Sequence, residues 1–288
     1  MFLFHCCIVD GLARLFPMYS IQTLHQPKLR YGCFIGLFMT LIVIEGCQSS
    51  VHSPESLLDL TYPFDEQTIY WPNNAPFHWE KSSWGHTHQG YWYASGVFSA
   101  SEHGGTHLDA PIHFAESGWS VDEIPLSHLT AKAIVLDLRS QTRLNPDYTL
   151  LVEDIAKWEN QYGIIPSHAI VFLLTGSGQY WPDPSRYLGS PTPQDTTTLH
   201  FPGFSAEAIS FLIDQRAIVG IGIDTASIDP GQSQTFPAHQ VLGKANRFAI
   251  ENVAHLEKLP PHGASITALP MKIKGGTGGP VRVMATVP

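Results

Sequence analysis

His103-Gly104-Gly105-Thr106-His107-Leu108-Asp109-Ala110-Pro111-Ile112-His113 places three histidines and an aspartate, all at odd positions, among two glycines and a proline. Neutral imidazoles with a carboxylate are the donor set of a borderline divalent ion such as zinc or manganese. In one straight strand His103 and His107 would share a face but stand about 13 Å apart at ~3.3 Å per residue, near the limit for two rings on one ion. A continuous helix brings them together but turns Asp109 away, and Pro111 breaks it before His113. The segment must therefore bend. Gly104 and Gly105 are where it can, because glycine tolerates positive φ and lets the backbone pass close to other groups. His103, His107 and Asp109 are expected to converge on one metal, with His113 beside it as an acid or base.

The chain holds 15 histidines, so loose surface histidines are the competing reading. Four coordinating side chains packed among glycines weigh against it. The segment also resembles the HxGTHxDxPxH signature of the cyclase family of metal-dependent hydrolases, which includes bacterial formamidases and isatin hydrolases, with Gly104 in the free position after the first histidine. The resemblance runs from about Leu57 to Val287. It implies an α/β protein with the swivelling β/β/α domain of that family, a mixed sheet with flanking helices, usually in a homo-oligomer. It also implies Zn2+ or Mn2+, one or two ions per chain, and hydrolysis of a formamide or cyclic amide, often on an aromatic ring. Trp71, just before Pro72, matches the family at a position expected to contact the substrate.

The whole chain sets outer limits. With 288 residues and 43% hydrophobic content it can bury a sizeable core. A net charge of −9 with no basic stripe argues against a nucleic-acid partner, while the resemblance implies a small-molecule substrate. Residues 1–50 read differently from the rest. Lys28 and Arg30 precede an apolar run over 31–44 and then Glu45-Gly46-Cys47, the layout of a secretory signal. The run is shorter than the ~20 residues of a membrane span, and Met18 would start a signal of ordinary length. Ile44 to Cys47 resembles a bacterial lipobox, with Glu45 atypical, so lipid attachment at Cys47 and an exported, membrane-anchored or periplasmic protein are expected. Residues 51–288 are expected to form one hydrolase domain. Cys6, Cys7, Cys33 and Cys47 all fall in the leader, leaving that domain neither a disulfide nor a cysteine nucleophile.

Along the domain, residues 70–93 are dense in aromatics and could line a pocket for a flat substrate, core or sheet-face positions being the plainer explanation. His86 and His88, lacking a nearby carboxylate, read as loop residues. Strands are expected over 133–138, 169–174 and 217–223, with helices over 149–162 and after Ser205. Thr175-Gly176-Ser177-Gly178 fails as a nucleophile elbow because Thr175 stands where glycine is needed, and reads as a turn. The proline-rich segment 180–202 is too long for an idle connection and suggests a pocket rim or lid. Asp224 and Asp229 read as turn-holding acids. Residues 265–273 and 281–287 read as strands of a hairpin joined by the glycine-rich 274–279, which lacks phosphate-loop order.

A metal on two histidines and an aspartate keeps room for water and a carbonyl, and acidifies that water. His113, with an ordinary pKa of about 6.5, would move its proton to the leaving nitrogen. The rival reading is an exported metal- or solute-binding protein that kept the site without catalysis. A second half of the site is expected from His239 and Glu251. Each has an ordinary explanation, a turn histidine and an acid in the apolar stretch 248–253, yet a carboxylate there is costly to bury without a cation or strong donor. Their separation matches that at which zinc-dependent formamidases of the family place two further ligands. The resemblance thus implies Asp109 bridging two ions, although in single-metal relatives the pair would instead bind substrate or water.

Overall fold

In a computed structural model, residues 56–288 are described; the leader over 1–50, with Cys47, lies outside the described residues. Twelve strands follow one another: β1 Ser56–Asp59, β2 His78–His86, β3 Trp92–Ser99, β4 His107–Asp109, β5 Thr130–Asp137, β6 Thr149–Leu150, β7 Ile170–Leu174, β8 Gly203–Phe204, β9 Gly220–Ile223, β10 Phe248–Glu251, β11 Ser265–Pro270 and β12 Gly278–Val287. The helices are α1 Arg139–Thr142, α2 Val152–Tyr162, α3 Pro184–Tyr187, α4 Ala206–Arg216 and α5 Pro237–Lys244. No helix among the described residues is long and apolar enough to cross a membrane.

Eight strands form one mixed sheet in the order β1-β12-β11-β5-β7-β9-β10-β4, and β4 also pairs with β12, so the sheet closes on itself. The block β5-β7-β9-β10 is parallel. β4 and β11 run antiparallel to it, and β12, antiparallel to both, closes the sheet between them. The parallel strands read as unbroken apolar runs because both of their faces are covered. Phe172 and Leu174 point into the closed sheet with Leu108, Val135, Ile250 and Val283. Val171 and Leu173 point outward against Ile155, Trp158, Ile209, Leu212 and Leu242 of α2, α4 and α5. The Trp158 indole donates to the Val135 carbonyl at 2.9 Å and pins α2 to β5.

Several expected elements shift. The helix expected over 149–162 starts only at Val152, because Thr149 and Leu150 pair with Gly203 and Phe204 in a small parallel sheet. Asp154 caps its first turn, accepting from the Leu151 N–H and the Tyr148 hydroxyl. Ser205 caps α4 as expected, its hydroxyl accepting from the Ala208 N–H. The strand expected from 217 starts at Gly220, since Ala217 ends α4 in the left-handed conformation.

The aromatic stretch divides between its two readings. Tyr70 and Trp71 face the cavity described below, but Trp79, Trp84, Tyr91, Trp92 and Tyr93 lie exposed on the hairpin β2–β3. The segment 180–202 is not a lid: Tyr187, Leu188, Leu199 and Phe201 are buried and pack behind Ile69 and Trp71. Asp224 is a turn-holding acid, accepting from the Thr175 N–H and hydroxyl and from the Gly176 N–H.

Candidate metal centre

The site is produced by strand register. β4 is wedged between β10 and β12, with His107 opposite Glu251 on one side and opposite Pro280 on the other. Directly paired residues share a face of a sheet, so the register alone sets Glu251 beside His107. The bend ahead of β4 comes from the two glycines, with separate duties. Gly105 has φ +57, the left-handed region that suits glycine, and a Cβ on Gly104 would lie 2.0 Å from the Tyr70 ring. His103 is thereby folded back over β4, and its ring stacks on His113 at 3.8 Å between centroids.

All five expected ligand side chains meet. Their donor atoms form two groups, His103–His107–Asp109 and Asp109–His239–Glu251, each with its atoms within 4.8 Å of one another. Asp109 joins them through different oxygens: Oδ1 lies 2.6 Å from His103 Nδ1 and 3.1 Å from His107 Nε2, while Oδ2 lies 3.3 Å from His239 Nε2. Glu251 stands 3.2 Å from His239 Nε2 and 3.5 Å from His107 Nε2. His86 and His88 belong to neither group.

The second nitrogen of each ring shows why a cation fits. His107 Nδ1 donates to the Gly105 carbonyl at 2.9 Å, and His239 Nδ1 donates to Asp229 at 2.6 Å. His103 Nε2 donates to the Thr277 hydroxyl at 2.8 Å, which itself donates to Glu102. In the neutral ring each tether fixes the tautomer and turns the other nitrogen's lone pair inward, onto carboxylate oxygens that have nothing to donate. His107 Nε2 is accordingly buried without a hydrogen-bond partner. Lone pairs facing carboxylates suit a divalent ion.

Electrostatics agree. Burial opposes charge on His107, but Asp109 and Glu251 outweigh it and raise it to about 9. His239 is raised well above its ordinary value against the same opposition from burial, by Asp109, Asp229 and Glu251. Burial alone would raise Asp109, yet His107 and His103 hold it well below the carboxylate range. Glu251 is raised, by burial and then by the neighbouring Asp109 charge. The surroundings favour positive charge at the centre, whether as protons or as an ion that displaces them.

His113 differs. Burial pulls it down to about 4, so it is a neutral imidazole near neutrality, where the sequence suggested a base near 6.5. It lines a cavity of about 230 Å³ together with Trp71, Phe114, Phe236, His239 and Glu251. Trp71 is held edge-on by Phe236 and Phe201 at 6.0 and 6.5 Å.

Sequence reasoning missed two residues that shape the site. Asp229, read only as a turn acid, is fully buried, takes the N–H groups of Ala238 and His239 at the start of α5, and orients the His239 ring. Thr277, dismissed with the glycine-rich connection, anchors His103 and accepts the Ala110 N–H through its carbonyl. The expected 265–287 hairpin is there, but Gly278–Pro280 also pair with the motif strand. An acid ahead of a histidine was a usable signal for Asp229; nothing local marked Thr277. Asp229→Asn keeps the shape but lets an amide face His239 Nδ1. We expect metal affinity to fall about 10- to 100-fold, the usual effect of removing such a partner, as read by competitive chelator titration; unchanged affinity would show that Asp229 only caps α5.

The Cyclase family model matches residues 58–230. Isatin hydrolase from Roseibium aggregatum is 35% identical over 195 residues, 65% of this chain and 72% of that one. Kynurenine formamidase from Salinibacter ruber is 26% identical over 80% of this chain and 96% of its own length. The solved structure of isatin hydrolase A from Ralstonia solanacearum superposes with a TM-score of 0.74 at 34% identity, covering 81% of this chain and 92% of that one. The chain belongs to the cyclase family of metal-dependent hydrolases.

Proposed function

We propose that His103, His107, Asp109, His239 and Glu251 hold zinc or manganese, and that the enzyme hydrolyses the carbon–nitrogen bond of an aryl formamide or a cyclic amide on an aromatic ring. The observation that carries this reading is the convergence of three tethered imidazoles on two buried carboxylates beside a cavity with aromatic walls. An ion so held polarises a carbonyl and acidifies water. Trp71, Phe114 and Phe236 offer apolar faces that orient a flat ring. Neutral His113, stacked on His103, accepts the proton of the attacking water. The same ring then passes that proton to the leaving nitrogen. Hydroxide ends on the acyl carbon and the proton on nitrogen, so the bond is opened with no further co-reactant.

The same reading takes the closed sheet and its outer helices as the swivelling β/β/α domain. It places the protein outside the cytoplasm, tethered through Cys47, on the strength of the leader's sequence; mass spectrometry of the mature N-terminus checks that part. For the activity, purified chain supplied with Zn2+ or Mn2+ is expected to open N-formylkynurenine, isatin or a related lactam. Turnover should vanish with chelator and return with metal. Retention of tightly bound ligand with no turnover on any amide or lactone would overturn it in favour of a binding protein.

A further inference from the structure

Phe236 breaks two backbone rules at once. It is held at φ 52 and ψ 51, in the left-handed region, where bulky side chains are outliers. It also precedes Pro237, and the residue before a proline is pushed toward extended backbone. Six described residues other than glycine have positive φ, and of these only Phe236 and Asn252 line the catalytic cavity. Asparagine visits that region readily and phenylalanine does not. The conformation is nonetheless fixed from both sides. The Phe236 N–H donates to the Ser233 hydroxyl at 3.1 Å, and its carbonyl accepts the Gln240 N–H at 3.1 Å. Strain kept in this way at a cavity wall points to function.

What the ring touches shows the use. Phe236 stands between Trp71 and Phe114, at 6.0 and 5.5 Å between centroids. Phe114 in turn lies 4.6 Å from His113 and 4.5 Å from His239. Three distant segments thus form one aromatic wall from Trp71 to His113 and His239, and Phe236 is its middle member. The same turn opens α5, whose first residue is Pro237 and whose Ala238 and His239 N–H groups go to Asp229. Relaxing Phe236 to extended backbone would therefore take the ring out of the wall or shift His239. Phe201 braces Trp71 at 6.5 Å, which holds the wall against spreading around a thicker guest. A cavity of about 230 Å³ bounded in this way is a slot, and aromatic faces favour flat partners, stacked or edge-on.

Resting on the reaction proposed above, we propose that Phe236 selects for substrate shape: its ring, aimed by the left-handed backbone, sets a slot that accepts an amide on a flat ring and turns away a saturated ring of the same size. The probes are N-phenylformamide and N-cyclohexylformamide, which share the formamide and the ring size. Their intrinsic reactivities cancel when each variant is compared with wild type. In the zinc-loaded full chain, Phe236→Ala should lower the ratio of kcat/KM for the flat over the saturated probe by about 10- to 100-fold. Metal content by elemental analysis should not change. Phe236→Gly should lower the ratio equally yet melt about 2–4 °C above Phe236→Ala, because glycine alone takes positive φ without strain. An unchanged ratio overturns the proposal. So does a ratio that falls only together with metal content, which would make Phe236 a support of His239. A glycine variant melting below the alanine variant overturns the part given to the strained backbone. Where wild type turns over neither probe, that result counts against the reaction, and dissociation constants of the same probes read the slot. A preference of about tenfold or more for the flat probe, abolished in Phe236→Ala, supports it, and equal binding of the two by wild type overturns it.

Discussion

Asp109→Asn is expected to lose bound metal and to lower kcat/KM by roughly three orders of magnitude, taking several kcal/mol of charge stabilisation at ~1.4 kcal/mol per tenfold. Both oxygens of Asp109 are committed, Oδ1 to His103 and His107 and Oδ2 to His239. An amide keeps one acceptor, turns a donor toward lone pairs, and removes the charge that balances a cation. The fold should survive, because Leu108 and Ala110 on either side stay buried in the core. The measurement is elemental analysis beside thermal melting with and without chelator. In chelator the variant should melt somewhat lower, since it also loses the pairing of Asp109 with His107 and His103. With metal at a hundred times its Kd, wild type should gain about 2.7 kcal/mol and the variant far less. Unchanged metal content would remove Asp109 from the ligand set and with it the proposed reaction.

How much of this was legible beforehand follows from where each constraint resides. The motif is one contiguous segment, and its glycines and proline limit the backbone so strongly that convergence of His103, His107 and Asp109 could be argued from spacing. His239 and Glu251 are far from it in sequence. What brings Glu251 to His107 is the antiparallel register of β10 with β4, and no local pattern encodes a pairing between a three-residue strand and a partner so distant. Only the family resemblance pointed there. The same limit hid Thr277, whose loop resembles any glycine-rich connection until β12 is seen to close the sheet beside β4.

Buried parallel strands were readable because apolar residues on consecutive positions need cover on both faces, and 169–174 met that condition almost to its ends. That the aromatic sheet faces lie uncovered was hidden for the converse reason. Composition measures how much apolar surface a segment carries, but not what covers it. Trp79 and Trp84, an odd five residues apart, share one face only through the register shift between Lys81 and Ser83, and the covering layer is absent from the described residues. The pKa of His113 also escaped, since its depression comes from burial against His103 and Phe114, a consequence of packing.

The remaining large effect is expected at Glu251. Its carboxylate faces His239 at 3.2 Å and also accepts the Ile228 N–H at 2.8 Å. Glu251→Gln keeps the shape and an acceptor for that N–H, so the loop at 228 and the strand β10 should hold. What changes is charge in a fully buried group of three, Asp109, His239 and Glu251. If Asp109 bridges two ions, the half built by His239 and Glu251 loses one of its two carboxylates, while His103, His107 and Asp109 remain intact. Metal content should then fall from near two ions per chain to near one, and activity by about 10²- to 10³-fold, as when one electrostatic stabiliser of a transition state is removed. One ion in both proteins, with activity lost, would instead give Glu251 to proton transfer or substrate contact beside a single metal. Two ions retained at wild-type activity would mean that the buried acid is neither a ligand nor a catalytic group.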